Sequence, residues 1–179
     1  MTATRLSRVT YWVGRLPLFV AFFATACVVL PPRGALVPPR VEILRNDPRA
    51  GQYGLSASEI LNHPEMRDKV QRLFGADWGP DAGRRAAPAF FTKSFPATVL
   101  RIGGADYIAA PGCVPEACLT DRGLLLVRTD GAQLLARLDE GGFTRYYAFG
   151  IGVGIEMVGT PQDRATVDAV WRELGRVSR

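Results

Sequence analysis

Two cysteines, Cys113 and Cys118, enclose Val114, Pro115, Glu116 and Ala117, and this stretch holds the residue types best suited to chemistry. The spacing permits a small disulfide ring. Pro115 fixes one backbone dihedral inside it and removes one N–H donor. Such a ring presents Glu116 on a stiff tip. A redox thiol pair normally has two residues between its cysteines, and nothing in Pro115-Glu116 supplies the positive charge that lowers a thiol pKa. Glu116 and Asp121 could be imagined as paired acids for sugar chemistry, but no pattern places them across a cleft. His63 is the only histidine, which leaves no Ser-His-acid combination and too few soft ligands for a zinc site. It stands beside Pro64 and reads as a helix-start residue. The residues therefore read against an enzyme, a metal site or a cofactor.

The elements that must position this loop begin after a leader. Arg5, Arg8 and Arg15 flank the apolar run Leu16 to Ala24, and Ala24-Thr25-Ala26-Cys27 follows. That is the arrangement of an export signal over residues 1–26, and it resembles a bacterial lipobox with Cys27 as the lipidated residue. Cleavage after Ala26 to give a soluble product, or an uncleaved anchor from Trp12 to Leu30, are the alternatives. All three put the rest of the chain outside the cytoplasm, in the periplasm or cell envelope, and two of them tether it to a membrane. With Cys27 assigned to the leader, Cys113 and Cys118 remain as an even pair, which suits a disulfide in an oxidising compartment.

Residues 27–54 read as a proline-rich spacer, Pro31 to Pro39, followed by an irregular polar segment. A single folded domain is expected over 55–179. Ser56-Ala57-Ser58-Glu59 fits a capping box for a short helix to about Leu61. Pro64-Glu65 opens a second helix, with Met66, Val70, Leu73 and Phe74 on one face and Gly75 at its end. The irregular stretch Ala76 to Ala89 follows, with Trp78 as a lid on the core.

Five strands come next: Ala97–Ile102, Ala105–Ala109, Gly123–Arg128, Ala132–Leu138 and Phe143–Phe149. Leu124-Leu125-Leu126-Val127 is too continuous for a one-sided strand, so that strand is expected in the middle. Gly103-Gly104, Asp130-Gly131 and Gly141-Gly142 supply turns. These connections are too short for crossover helices, so the sheet is expected to be antiparallel and the fold class α+β. Gly150-Ile151-Gly152-Val153-Gly154 lacks the spacing and context of a nucleotide loop. Thr160-Pro161-Gln162-Asp163 starts a last helix whose apolar face carries Val167, Val170, Trp171 and Leu174.

The formal charge is +5, but three of those charges precede Cys27, where no acid occurs. The near-neutral remainder has no basic stripe, which argues against nucleic acid.

The stretch Pro96 to Val127, with Gly103-Gly104-Ala105-Asp106-Tyr107, Cys113-Val114-Pro115-Glu116-Ala117-Cys118 and Leu124 to Val127, resembles the Ivy family of bacterial inhibitors of c-type lysozyme. In that family a disulfide loop of pattern Cys-Lys-Pro-His-Asp-Cys enters the enzyme cleft, and its histidine meets the catalytic carboxylates. The resemblance implies an antiparallel sheet with helices packed on it, a periplasmic setting, and a family in which a homodimer occurs. It implies a binding loop at Val114, Pro115, Glu116 and Ala117, directed at c-type lysozyme or a bacterial lytic enzyme. The cysteine spacing and Pro115 match the pattern. Val114, Glu116 and Ala117 replace its lysine, histidine and aspartate. An ionised Glu116 meets acids in such a cleft as a like charge. A non-inhibitory binding or immunity role with another target is the alternative.

Overall fold

A central antiparallel sheet organises the chain in the computed structural model, which describes residues 38–80, 84–150 and 159–177. The expected leader and Cys27 lie outside the described residues, as does most of the glycine-rich stretch after Gly150. Among the described residues there are seven strands: β1 Val41–Leu44, β2 Lys93–Ser94, β3 Thr98–Ile102, β4 Ala105–Cys113, β5 Arg122–Arg128, β6 Gln133–Glu140 and β7 Phe143–Gly150. Their order is β1-β3-β4-β5-β6-β7, with β2 paired to the far end of β4. The five expected strands are all there and all antiparallel. Two more join them. β1 comes from the segment read as irregular spacer, where Ile43 pairs with Leu100, so sheet structure begins well before Leu55. Four residues with a single exposed acid, Glu42, carry too short an alternation to be seen without their partner strand.

Hairpin geometry follows from glycine. Gly103 and Gly104 both have positive φ, 57° and 87°, and join Ile102 to its partner Ala105 in a two-residue turn. Gly141 and Gly142, at 55° and 95°, do the same between Glu140 and Phe143. Mirror-image turns of this kind match the twist of the flanking strands.

β5 lies between β4 and β6, as its continuous apolar run implied. Leu125 and Val127 face one layer of helices, and Leu124 and Leu126 face another. The first layer holds α1 (Ala57–Asn62), α2 (Arg67–Phe74) and three 3-10 turns. Ile60, Leu61, Val70, Leu73, Phe74, Phe90 and Phe91 fill it. The second layer is α3 (Pro161–Val177), which places Val167 and Val170 on the sheet. Full burial of each such side chain contributes about 1.5–3 kcal/mol.

Caps set the helix ends. Ser56 Oγ accepts from Glu59 N, and the Glu59 carboxylate reaches back to Leu55 N at 3.0 Å, one residue beyond the usual capping-box target. Thr160 and Asp163 cap each other at the start of α3: Asp163 N donates to Thr160 Oγ1, and Thr160 N donates to Asp163 Oδ2 at 2.8 Å. His63 ends α1 rather than starting α2, and its Nδ1 accepts from Glu65 N. α2 accordingly begins at Arg67, three residues after Pro64. Trp78 lies half-buried against Phe74, their rings 6.3 Å apart, in the lid position expected for it.

A cluster of charges locks α3 to the sheet. Arg137 on β6 pairs with Asp139 and, at 2.7 Å, with Asp168 of α3, which also accepts from Tyr146 Oη. The guanidinium groups of Arg122 and Arg137 lie 4.8 and 4.5 Å from the centre of the Trp171 ring.

Candidate functional site

β4 and β5 run side by side to Cys113 and Arg122, and the chain between them forms the tip. Cys113 and Cys118 are joined as a disulfide, with Cα atoms 5.0 Å apart. Inside the ring, Ala117 N donates to Val114 O at 3.1 Å. Pro115 and Glu116 are the two central residues of that turn, and Glu116 has φ 66°. Proline followed by a left-handed residue is the pattern of a type II turn, which glycine or asparagine normally completes. A second turn follows directly, in which Ala117 O accepts from Thr120 N and Asp121 N. Val114 N donates to Asp121 O and closes the base.

Of the four loop residues, only Pro115 and Glu116 are exposed. Val114 is 8% exposed and belongs to the core under α1 and α2, with Ala117 packed against the same cluster. The loop is therefore rooted by its apolar members and offers its proline and acid outward. Among the described residues the Glu116 side chain engages no counter-ion.

Asp121 does not face Glu116 as a second acid. It is 8% exposed, accepts from Gly141 N at 3.2 Å, and pairs with Arg85 at 3.4 Å. Its carboxylate ties the β4–β5 tip to the β6–β7 turn. Below the tip, Gly112 and Gly123 stand opposite each other in the ladder. Phe91, from the 3-10 turn Ala87–Phe91, fills the hollow they leave: a Cβ on Gly123 would lie 2.8 Å from its ring. A Cβ on Gly112 would lie 2.9 Å from Phe91 Cα. The seat of the loop is thus a buried phenyl ring against two bare glycine backbones.

Two further exposed residues share this end of the sheet and were not singled out from the sequence. Leu119, just after the ring, is 94% exposed, and Phe143, just after the Gly141-Gly142 turn, is 80% exposed. Their one sequence signal is a large apolar side chain inside an otherwise polar or glycine-rich turn.

A second polar cluster sits deeper. Tyr147 Oη donates to Asp77 Oδ2 at 2.6 Å, and Arg145 bridges Asp77 and Glu140. Burial first, and then the Asp77 hydrogen bond, push the Tyr147 phenol well above its ordinary value, so it holds its proton and is no base. Among the described residues no three His, Cys, Asp or Glu side chains come together as a metal-ion ligand set. No buried side-chain nitrogen or oxygen there lacks a hydrogen-bond partner. The described acids inside the fold are committed to arginines, hydroxyls and backbone amides.

The geometry defines an α+β protein with an antiparallel seven-stranded sheet, covered by helices on both faces, that displays one disulfide-stapled hairpin tip. No family model matches the chain, and no curated protein or solved structure matches it either. The likeness to the Ivy family accordingly rests on the sequence stretch Pro96 to Val127, with the cysteine spacing and Pro115 as its specific parts.

Proposed function

We propose that this chain is a binding protein of the cell envelope that engages a lysozyme or related muramidase through the tip at Cys113–Cys118, and inhibits it. The observation that carries the reading is the tip itself. A disulfide, a proline and a buried root hold Pro115 and Glu116 outward, with Glu116 in a backbone conformation that disfavours side chains. Preorganisation of this kind lowers the entropy cost of entering a cleft. Strain kept at an exposed residue is a pointer to function rather than to stability. Export rests on the leader, and tethering rests on Cys27 or the apolar run before it. A homodimer is compatible with the reading and is not required by it.

A specific observation also favours a second target class. Glu116 has no counter-ion of its own among the described residues, and a partner offering Arg, Lys or N–H donors accommodates it better than an acidic cleft does. The protein is then a non-inhibitory or immunity-type binder that uses the same tip.

The deciding measurement is an inhibition constant for the wild type, Glu116→His and Glu116→Ala against a c-type lysozyme and a bacterial lytic enzyme, across the acid and neutral range. In a carboxylate-bearing cleft, Glu116 is accommodated by sharing a proton, so wild-type inhibition strengthens as pH falls. Glu116→His then gains about 1 kcal/mol or more at neutral pH, roughly fivefold in the constant. Inhibition that is flat with pH and lost in Glu116→Ala points to a donor-bearing partner instead. Absence of binding to every enzyme, in every variant, removes the muramidase reading.

A further inference from the structure

We propose that Leu119 and Phe143 are the affinity anchors of the same interface, so that the partner is gripped by two adjacent hairpin tips and not by the disulfide loop alone. The inference rests on the tip-binding reading and adds what the partner must offer: an apolar wall beside the cleft that receives Glu116.

The two tips are built as one surface. In the ladder, Cys113 stands opposite Arg122 and Arg122 opposite Asp139, so the β4–β5 and β6–β7 turns leave the sheet at the same end. Asp121 then joins them, accepting from Gly141 N at the base of the second turn. That bond is nearly buried and backed by Arg85, so the turns keep a fixed relation.

On this surface the polar groups are mostly spent. Arg85 pairs with Asp121, Arg122 lies 3.7 Å from Asp139, and Arg145 pairs with Glu140. Within residues 114–120 and 140–144 Glu116 is the one charge without a counter-ion among the described residues. Lys93 is exposed opposite Cys113 on β2, on the other side of β4 from β5. What the tips present is therefore one acid without a counter-ion and two large apolar side chains, Leu119 at 94% and Phe143 at 80% exposure. Neither contributes to either buried core cluster.

The chemistry of the occupant follows. Central apolar or aromatic anchors carry most of the affinity in protein interfaces, while a single charge sets register and pH dependence. A second copy of this chain is a poor occupant, because it would bring Glu116 toward its own equivalent and offers two anchors per protomer against the 20–30 residues a side, roughly, of a stable interface. A cleft with an apolar wall on one side and a proton or donor at its floor satisfies all three side chains.

The test measures dissociation constants of the full chain for a c-type lysozyme and a bacterial lytic enzyme, using wild type, Leu119→Ser, Phe143→Ser and the double variant, with a thermal melt of each. Both side chains are exposed, so the melts should coincide. The expected result is binding by the wild type that weakens about tenfold or more in the double variant, with each single change contributing. Equal affinity in the wild type and the double variant overturns the inference and leaves tip binding by the loop standing. Binding of neither enzyme by the wild type overturns the muramidase reading and this inference with it. A variant whose melt falls is replaced by Leu119→Ala or Phe143→Ala, which keep the same outcomes.

Discussion

Glu116 shows how one residue can be costly in the free protein and still define its surface. Its φ of 66° is a region where a side chain costs about 1 kcal/mol or more relative to glycine. The neighbouring Pro115 and the disulfide leave the chain little choice at that position. Glu116→Gly should therefore raise the stability of the protein by about 1 kcal/mol, a rise of a few degrees in the melting midpoint. The same change should weaken the complex, because it removes the carboxylate and loosens the tip. A melt and an affinity measured on the same preparation check both halves. A midpoint that stays put or falls would show that the Glu116 side chain makes up for its backbone cost within the loop.

The elements that seat the tip depend on what is missing from them. Gly112 and Gly123 form a cross-strand pair with no side chains, and Phe91 occupies the space. A Cβ on Gly123 would press on the Phe91 ring, which is fully buried and held by close packing. Gly123→Ala should destabilise the fold by about 1–3 kcal/mol through overpacking. Chemical denaturation of the variant measures this. If stability is unchanged, Phe91 has moved aside, and close packing of the ring does not position the loop. The distant turn at Gly103 offers a contrast, because a Cβ there would meet nothing within 4 Å and only the positive φ opposes substitution.

At the scale of the molecule, tyrosines report on how α3 and the α1/α2 layer are held to the sheet. Tyr146 is pushed up to about 12, first by burial and then by its hydrogen bond to Asp168. Tyr147 moves in the same direction by burial and Asp77, and burial raises Tyr53 and Tyr107. An acid whose folded value is raised binds its proton more tightly when folded. Its contribution to stability is complete below the unfolded value near 10 and is lost as pH rises through the folded value. The protein should accordingly unfold in alkali above about pH 10, with phenolate absorbance and loss of circular dichroism appearing together. Independent ionisation of all the tyrosines near pH 10 in a protein that stays folded would contradict this.

Local pattern alone determined much of this molecule, and for a physical reason. The strand-forming runs of β3, β6 and β7, the glycine turns and the caps at Ser56 and Thr160 are decided by near neighbours. The unbroken Leu124 to Val127 run announced a strand buried on both faces, and Leu125 and Leu126 indeed enter opposite cores. The pairing of Cys113 with Cys118 was legible from count and spacing. Tertiary structure decided the rest. β1 exists because β3 offers it an edge, and its short sequence says little by itself. Val114 roots the loop instead of facing a partner, because the core beneath α1 and α2 reaches up to the disulfide. Asp121 became a strut between two turns once Gly141 and Arg85, both far from it in the chain, came within reach, and that strut ties together the turns beside which Leu119 and Phe143 are exposed. No local spacing encodes such meetings, because they are made by the ladder and the packing of the whole sheet.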